Sequence, residues 1–200
     1  PVFSYTNCDE VELFVNGKSY GKKIKGIDKI TIPINFIDWE GGRYQGDFMS
    51  PYRLHWNVPY QAGEIKVVGF IDGKKVTEKQ IKTAGKPARI ELIADRELIK
   101  SDGEDMVFVT VRVVDKEGNL CPNSDNLINF EIEGQGAIVA VGNGNAATTE
   151  PFQSNKRKAF SGQCMVFIKA FKYAGHINLK ATSEGLTLAQ VQVQTKRVIN

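Results

Sequence analysis

The chain has 200 residues, with 26 basic and 23 acidic side chains and a formal net charge of +3. Hydrophobic residues make up 42% of it, which is enough to fill a core and excludes a disordered chain. The nearly balanced charge gives no basis for a polyanionic partner such as nucleic acid. No apolar run approaches the roughly 18 residues of a membrane-spanning helix, so we expect a folded chain without a membrane partner.

The dominant pattern is an alternation of apolar and polar residues with a period of two. It begins at Val11–Val15 and is typical of strands with one buried and one solvated face. Asn16-Gly17 and Asp72-Gly73 predict two-residue hairpins, because both central residues of a type I′ turn need positive φ. These signals predict a sheet in the first part of the chain.

The segment 38–52, with the sequence DWEGGRYQGDFMSPY, interrupts this alternation. It is rich in glycine and aromatic residues and has no clear period, so we predict a long loop, a class of segment that is often functional. Sugar rings stack on exposed aromatic faces, whereas Trp56 lies on a strand-like run and is predicted to be a core residue. The candidate contacts to carbohydrate or to another domain are Trp39, Tyr44, Phe48 and Tyr52.

A domain boundary is predicted at residues 83–87, which read TAGKP. Gly85 and Pro87 interrupt the alternation, and proline cannot donate a ladder hydrogen bond. A new alternating strand begins at 88–94. We therefore divide the chain into 1–86 and 87–200, each the size of an immunoglobulin-like sandwich.

The second part repeats the strand pattern with turns between its runs. Asp102-Gly103 and Glu117-Gly118 mark two of these turns. The alternating runs are Met106–Val114, Leu127–Ile132, His176–Thr182 and Ala189–Gln194. Many short strands without a convincing helical stretch predict an all-β fold of two tandem immunoglobulin-like β-sandwich domains, the second of the bacterial invasin-like type.

Residues that could carry catalysis or bind a metal show no distinguishing context. Glycosidases need two carboxylates about 5–10 Å apart across a sugar, but the Asp and Glu residues here lie beside turns or on polar strand faces. His55 and His176 have no neighbouring histidine or cysteine at ligand spacing. The sequence therefore predicts no catalytic residue, no metal site and no cofactor.

Three cysteines, Cys8, Cys121 and Cys164, occur without a CxxC arrangement. We expect buried, reduced thiols, while a Cys121–Cys164 disulfide stays open as an alternative. Cysteine usage therefore does not fix the redox compartment.

Two further local motifs are read as structural. Lys156-Arg157-Lys158 is predicted to be a solvated basic cluster, too small for nucleic-acid binding. Gly142–Asn145 lacks the Lys-Ser/Thr of a phosphate-binding loop and is predicted to be a turn at a sandwich end.

Several short motifs, spread in one order over almost the whole chain, carry a resemblance. In the first part they are Asn7–Lys18, Trp56–Tyr60, Gly63–Lys66 and Thr83–Pro87. In the second part they are Ala94–Arg96, Phe108–Val111, Asp115–Asn119, Pro122-Asn123, Glu150–Phe152 and Asn155–Phe160. Together they resemble the C-terminal region of bacterial glycoside hydrolase family 2 enzymes of the β-galactosidase type.

The resemblance implies a region downstream of a catalytic barrel, so the chain would be excised from a longer enzyme and no catalytic residue is carried over. It also implies a periplasmic or extracellular parent protein, with the catalytic domain as partner. One departure is Asn145 and Thr149, which stand where related sequences often have Asp and His. Any role of those two groups is in doubt.

The function expected from this resemblance is a non-catalytic module that supports the barrel and contributes to contact with carbohydrate. An independent carbohydrate-binding module is an alternative, motivated by Trp39 and Tyr44. A surface adhesion or spacer role is another, for which 87–200 is the natural candidate.

Overall fold

A computed structural model describes residues 1–37, 43–48 and 52–197, and gives only the backbone for 30–37 and 43–48. The described residues form strands and turns without a helix, so the predicted all-β class is confirmed. Accordingly, none of them forms a helix long and apolar enough to cross a membrane. The chain divides into two compact units, Pro1–Thr83 and Ala84–Asn200.

The first unit contains three described sheets. Its strands are β1 (Val2–Tyr5), β2 (Glu10–Val15), β3 (Lys18–Ile24), β4 (Ile30–Ile37), β5 (Arg43–Phe48), β6 (Arg53–Trp56), β7 (Glu64–Ile71) and β8 (Lys74–Lys82). A four-stranded antiparallel sheet has the order β3-β2-β7-β8, and β1-β6 and β4-β5 form antiparallel pairs. Within the four-stranded sheet, β8 is an edge strand whose nine residues are all exposed.

The core of the first unit joins β2 to β6. Val11 and Leu13 of β2 are buried in one cluster with Leu54 and Trp56 of β6. Trp56 is 3% exposed, and its indole N–H donates to the Gly21 carbonyl at 3.1 Å. The predicted core position of Trp56 is therefore confirmed.

Both predicted hairpins are confirmed by the backbone. Asn16 and Gly17 have φ of 50° and 78°, and they join β2 to β3. Asp72 and Gly73 have φ of 49° and 71°, and they join β7 to β8. These values are those of a type I′ turn, in which both central residues are left-handed.

The prediction of one long loop over 38–52 is wrong for Arg43–Phe48, which form β5 and pair with β4. The ladder shifts register between Ile32 and Phe36, a stretch that contains Pro33. Within β5, Tyr44 and Phe48 do alternate with polar residues, but Gly46 stands between them, and the nearby glycines, which are rare in strands, favoured a loop in the sequence interpretation.

The second unit is a β-sandwich of two sheets. Its strands are β9 (Arg89–Ala94), β10 (Leu98–Lys100), β11 (Met106–Val114), β12 (Leu127–Gly134), β13 (Gly136–Gly142), β14 (Lys156–Lys158), β15 (Gln163–Ala170), β16 (Gly175–Thr182) and β17 (Ala189–Lys196). A five-stranded sheet has the order β10-β17-β16-β12-β14, and a four-stranded sheet has the order β13-β15-β11-β9. Side chains from both sheets form one buried cluster, so the sheets pack face to face.

The inner face of β11 shows how alternation builds this core. Val107, Val109, Val111 and Val113 are each at most 1% exposed, as the sequence pattern predicts. On β12 of the opposite sheet, the inward Ile128 and Phe130 are at most 2% exposed. The apolar half of each alternating run therefore meets its counterpart from the facing sheet.

Asp115 closes the turn after β11 and holds the start of the second unit. Its carboxylate, 1% exposed, accepts backbone N–H groups of Gly85 at 2.7 Å, Glu117 at 3.0 Å and Asn119 at 2.8 Å. The Asn119 side-chain amide donates at 3.0 Å. The Gly85 N–H, followed by the Asn119 and Glu117 donors, lowers the pKa of Asp115 to about 2 against the opposing effect of burial.

We expect Asp115→Asn to be less stable than the wild type at neutral pH. In acid the two proteins should approach equal stability. The folded-state pKa is depressed, so the stabilisation is present above the unfolded value of about 3.9 and disappears as the pH falls towards the folded value. Urea midpoints of both proteins at pH 7, 4 and 2.5 measure this convergence. A midpoint difference that stays constant over this range would contradict the assignment.

Leu13→Ala tests the core of the first unit. Leu13 is 0% exposed, so the truncation should lower the free energy of unfolding by about 2–5 kcal/mol. Val76→Ala, at a β8 position that is 51% exposed, is the matched control and should change it by less than about 0.5 kcal/mol. Tryptophan fluorescence follows the transition, because Trp56 lies in the same cluster. Equal effects of the two truncations would contradict this core assignment.

Candidate functional site

The four aromatic residues predicted as contacts are only partly described. Trp39 lies outside the described residues, and Tyr44 and Phe48 lie on β5, where the backbone alone is given. Tyr52 is 73% exposed, and its carbonyl accepts the Thr6 N–H at 3.0 Å. A shared contact surface of these residues stays a prediction.

Arg157 on β14 is wholly buried, which corrects the prediction of a solvated Lys156-Arg157-Lys158 cluster. Its side chain is 0% exposed, whereas Lys156 and Lys158 are exposed as predicted. Successive side chains of a strand point to opposite faces, so the middle residue of β14 points inward. Ala159, two residues later, is buried in the same way. Alternation was thus present in the sequence, but an arginine at the inward position concealed it.

The Arg157 guanidinium binds the backbone of the segment between β13 and β14. Its Nη2 donates to the Val141 carbonyl at 2.7 Å and to the Pro151 carbonyl at 3.1 Å. Its Nη1 donates to the Glu150 carbonyl at 3.3 Å and lies 3.5 Å from the Glu150 carboxylate. The rigid planar fork of an arginine suits this set of acceptors, so one side chain joins three carbonyl groups and a carboxylate.

The contact loop, residues 143–155, is also ordered by its own short side chains. Asn143 Oδ1 accepts the Asn145 N–H at 3.1 Å, and Asn145 Oδ1 accepts the Ala147 N–H at 3.0 Å. These are Asx turns, so the predicted turn begins here, and Asn145 supplies the oxygen that an aspartate would supply. The Glu150 carboxylate accepts the Lys158 N–H at 3.2 Å and ties the other end of the loop to β14.

Two aromatic rings lie exposed in or beside this ordered contact loop. Phe152 is 62% exposed, and the Arg157 guanidinium carbon lies 5.2 Å from its ring centroid. Phe160, just after β14, is 44% exposed and lies beside Gly144, where an added Cβ would be 3.7 Å from the ring. The buried cation thus lies against the Phe152 ring, while much of this residue remains exposed.

A groove of about 760 Å³ lies beside the contact loop. It is lined by Phe130–Ile132 of β12, Ala137–Val139 of β13 and Gln153–Asn155 of the loop. β14 pairs with only Leu127–Asn129 of β12, and β13 is an edge strand, so the groove lies where both sheets have open edges. The volume is in the range of small-molecule sites, and the lining combines apolar groups with amides.

The carboxyl groups with a shifted pKa are unsuited to act as a glycosidase general acid, which needs a raised pKa. Backbone N–H groups of Asp105 and Glu104 lower the pKa of Asp102. The pKa of Asp105 is itself lowered, mainly by the backbone N–H of Lys100. The pKa of Asp115 is lowered as described, and Lys75 lowers the pKa of Glu78. These carboxylates stabilise turns and strands as anions.

The cysteines and histidines have structural surroundings. All three cysteines are free and buried, as predicted, and burial raises the pKa of Cys164 to about 12, which makes its thiol unreactive. His55 is 6% exposed and its Nε2 lies 3.0 Å from Asn57 Oδ1. Over the described ranges, His, Cys, Asp and Glu side chains form no group of three or more that could hold a metal ion.

The fold and the site define a class of protein: an all-β region whose second unit is a sandwich with an ordered contact loop. The family model described as "Glycoside hydrolase family 2 C-terminal domain 5" matches residues 90–192, and one described as "Domain of unknown function (DUF4982)" matches residues 1–77. The chain therefore belongs to glycoside hydrolase family 2, in the C-terminal region of its members. The resemblance seen in the sequence motifs is confirmed.

Individual relatives agree with this assignment. The chain is 43% identical over 194 residues to the beta-galactosidase BoGH2A of Bacteroides ovatus, covering 97% of this chain and 20% of that protein. A beta-galactosidase of Thermoanaerobacter pseudethanolicus is 29% identical over 196 residues, with 97% and 24% covered. The crystal structure of a glycosyl hydrolase family 2 member from Bacteroides cellulosilyticus superposes with a TM-score of 0.76 at 32% identity, covering 98% of this chain and 22% of that one.

The chain thus spans about a fifth to a quarter of the length of these two curated relatives.

Arg157→Met should destabilise the second unit by about 3–5 kcal/mol, because it leaves buried carbonyls and the Glu150 carboxylate without their cation. Lys156→Met, at an exposed position of the same strand, is the control and should have little effect. Denaturant unfolding measures the loss. The Val141 N–H donates to the carbonyl of Phe152 in the contact loop at 2.8 Å. Faster amide exchange at Val141 would therefore show that the loss of stability arises in the contact loop. Similar unfolding and exchange in both variants would contradict this role.

Proposed function

We propose that this chain is a non-catalytic C-terminal region of a secreted glycoside hydrolase of the β-galactosidase type. It supports the catalytic barrel, which is its partner, and contributes to contact with carbohydrate. The observation that carries the proposal is the 43% identity to BoGH2A over 97% of this chain, which corresponds to 20% of that beta-galactosidase. A similarity of this extent to one part of a larger hydrolase favours an accessory role within such an enzyme.

The described chemistry supports a non-catalytic role for this chain beside a catalytic barrel. The carboxylates with shifted pKa values are held as anions by N–H donors or by a lysine, so they do not provide the protonated acid that glycoside hydrolysis requires. The contact loop is fixed by Arg157 before any ligand binds, and loops held on a rigid scaffold commonly carry binding residues. We place the carbohydrate contact at this loop, because its geometry is described.

The chemistry of the groove fits a saccharide better than a purely apolar ligand. Gln153 and Asn155 bring amide groups that can both donate to and accept from hydroxyl groups, and Ile132 and Val139 bring apolar surface. Phe152 brings an exposed ring next to them in sequence. The same features support the second candidate, an independent carbohydrate-binding module, which differs in binding sugar without the barrel.

Two finer statements belong to the same proposal. We assign an immunoglobulin-like character to both units, supported in Ala84–Asn200 by two facing sheets and by a length near 100 residues. We also place the parent protein in the periplasm or outside the cell, where polysaccharides are met; the motif resemblance supports this.

The purified chain should not hydrolyse aryl β-galactosides or aryl β-glucuronides. The assay needs protein free of host β-galactosidase, so the chain is expressed in a host that lacks that gene. Glu131→Gln and Glu150→Gln are prepared in parallel, because these carboxylates lie in the groove and the contact loop. Turnover that accompanies the wild-type chain and disappears in either variant would refute the non-catalytic role.

Calorimetric titration with galactose and galactose-terminated oligosaccharides separates the two candidates. Binding by the isolated chain that is lost in Gln153→Ala would favour the independent module, with Gln192→Ala on β17, which is not among the groove-lining residues, as control. An accessory region predicts no measurable binding by the chain alone.

A further inference from the structure

Three asparagines of this chain differ in their following residue and in the contacts of their side-chain amides. Asn16 and Asn143 are each followed by glycine, whereas Asn145 is followed by Ala146. Glycine has no Cβ, so the backbone nitrogen after the asparagine is unshielded. That nitrogen can attack the side-chain amide carbon when the two groups are held together, so the surroundings of each asparagine decide its reactivity.

The Asn143 amide is folded over the peptide that follows it. Its Oδ1 accepts the Asn145 N–H at 3.1 Å, and a side chain that reaches the second N–H along the chain lies alongside the Gly144 nitrogen between them. The same N–H donates to the oxygen on which negative charge develops when the amide carbon is attacked, as the donors of an oxyanion hole do. Gly144 is exposed, so hydroxide and water can reach this peptide.

The Asn16 amide is bound to a segment remote in sequence. Its Oδ1 accepts the Glu64 N–H at 2.7 Å, and its Nδ2 donates to the Ala62 carbonyl at 3.1 Å. Gly63, between these two partners, lies so close to the amide that an added Cβ would overlap it. The Asn16 side chain is therefore fixed on residues 62–64 and not on the Gly17 peptide that would have to attack it.

Asn145 separates the effect of the turn from the effect of glycine. Its Oδ1 accepts the Ala147 N–H at 3.0 Å, so it forms the same kind of turn as Asn143. Its following residue is Ala146, whose Cβ hinders the approach of the backbone nitrogen to the amide carbon. Of these three asparagines, Asn143 is the one that combines the turn with a following glycine.

We infer that Asn143 is a modification site, at which the chain deamidates spontaneously in water. The Gly144 nitrogen loses its proton to hydroxide, and its electron pair forms a bond to Asn143 Cγ. The Cγ–Nδ2 bond then breaks, and Nδ2 takes up a proton and leaves as ammonia, so that a succinimide ring remains. A water molecule opens this ring at either carbonyl and gives aspartate or isoaspartate.

The modification removes one of the bonds that hold the contact loop. Asn143 Nδ2 donates to the Lys158 carbonyl at 2.8 Å, which ties the beginning of the loop to β14. An ionised carboxylate has no proton to donate, so this bond would become a contact between two acceptors. Isoaspartate also lengthens the backbone between residues 143 and 144. A slow chemical step therefore loosens the loop, and it requires neither a sugar nor the barrel of the proposed function.

The rates at the three asparagines test the inference. The 200-residue chain is incubated in mildly alkaline buffer, and peptide mapping by mass spectrometry follows each asparagine separately. In the folded chain Asn143 should be converted at least about ten-fold faster than Asn16 or Asn145. In denaturing urea Asn16 and Asn143 should react at similar rates, because the contacts that distinguish them are lost. A smaller ratio in the folded chain, or a ratio that persists in urea, would overturn the inference.

Gly144→Ala tests the attacking nitrogen. An added Cβ would lie 3.7 Å from the Phe160 ring, an ordinary contact, so the variant should keep the wild-type melting temperature. It should slow the conversion of Asn143 by about ten-fold or more. An unchanged rate would overturn the inference. If the variant does not fold, the comparison of the folded and urea-denatured wild type still decides.

Asn143→Asp tests the consequence, because it produces one of the two products directly. It should speed amide exchange across 143–155, since the donor to the Lys158 carbonyl is lost. Asn145→Asp is the matched control: it adds the same charge two residues away and keeps the oxygen that accepts the Ala147 N–H. Equal exchange in the two variants would overturn the loosening of the loop.

Discussion

The inward-facing arginine of β14 is the constraint on which the loop 143–155 and the adjoining strand ends of the second unit depend. A charged group at 0% exposure is costly unless its donors are matched. The two terminal nitrogens of Arg157 reach three backbone carbonyls and the Glu150 carboxylate, whereas its Nε has no hydrogen-bond partner among the described residues. Those acceptors belong to the segment that leaves β13 and returns to β14. Arg157 therefore fixes the end of the contact loop at Glu150 and Pro151 and lies against the Phe152 ring, while the turns of Asn143 and Asn145 order its beginning.

The sequence predicted what depends on local pattern. The valines of β11, the two type I′ hairpins and Trp56 in the core were all accessible, because alternation and Asn-Gly or Asp-Gly pairs act over a few residues. The burial of Arg157 was not recognised, because the alternation that turns it inward is plausible for an arginine only with acceptors, and these lie up to 16 residues away. The strand β5 was missed because Gly46 and the glycines before Arg43 favour a loop over a strand.

The candidate site was harder to predict than the fold. The sequence argument selected the aromatic residues of 38–52, whose contact role stays a prediction, and it gave no reason to consider the loop at 143–155, where we propose the carbohydrate contact. Its markers are asparagines and a glutamate whose turn and ladder contacts appear only in three dimensions.

The edge strand of the first unit has a consequence for the solution behaviour of the chain. An exposed sheet edge offers free backbone groups to any passing strand, which is the usual beginning of sheet-to-sheet aggregation. All nine residues of β8 are exposed, and its sequence, KKVTEKQIK, places four ammonium groups and one carboxylate along it. A second copy approaching edge to edge would bring like charges together. Electrostatic repulsion therefore opposes strand pairing between two copies at β8.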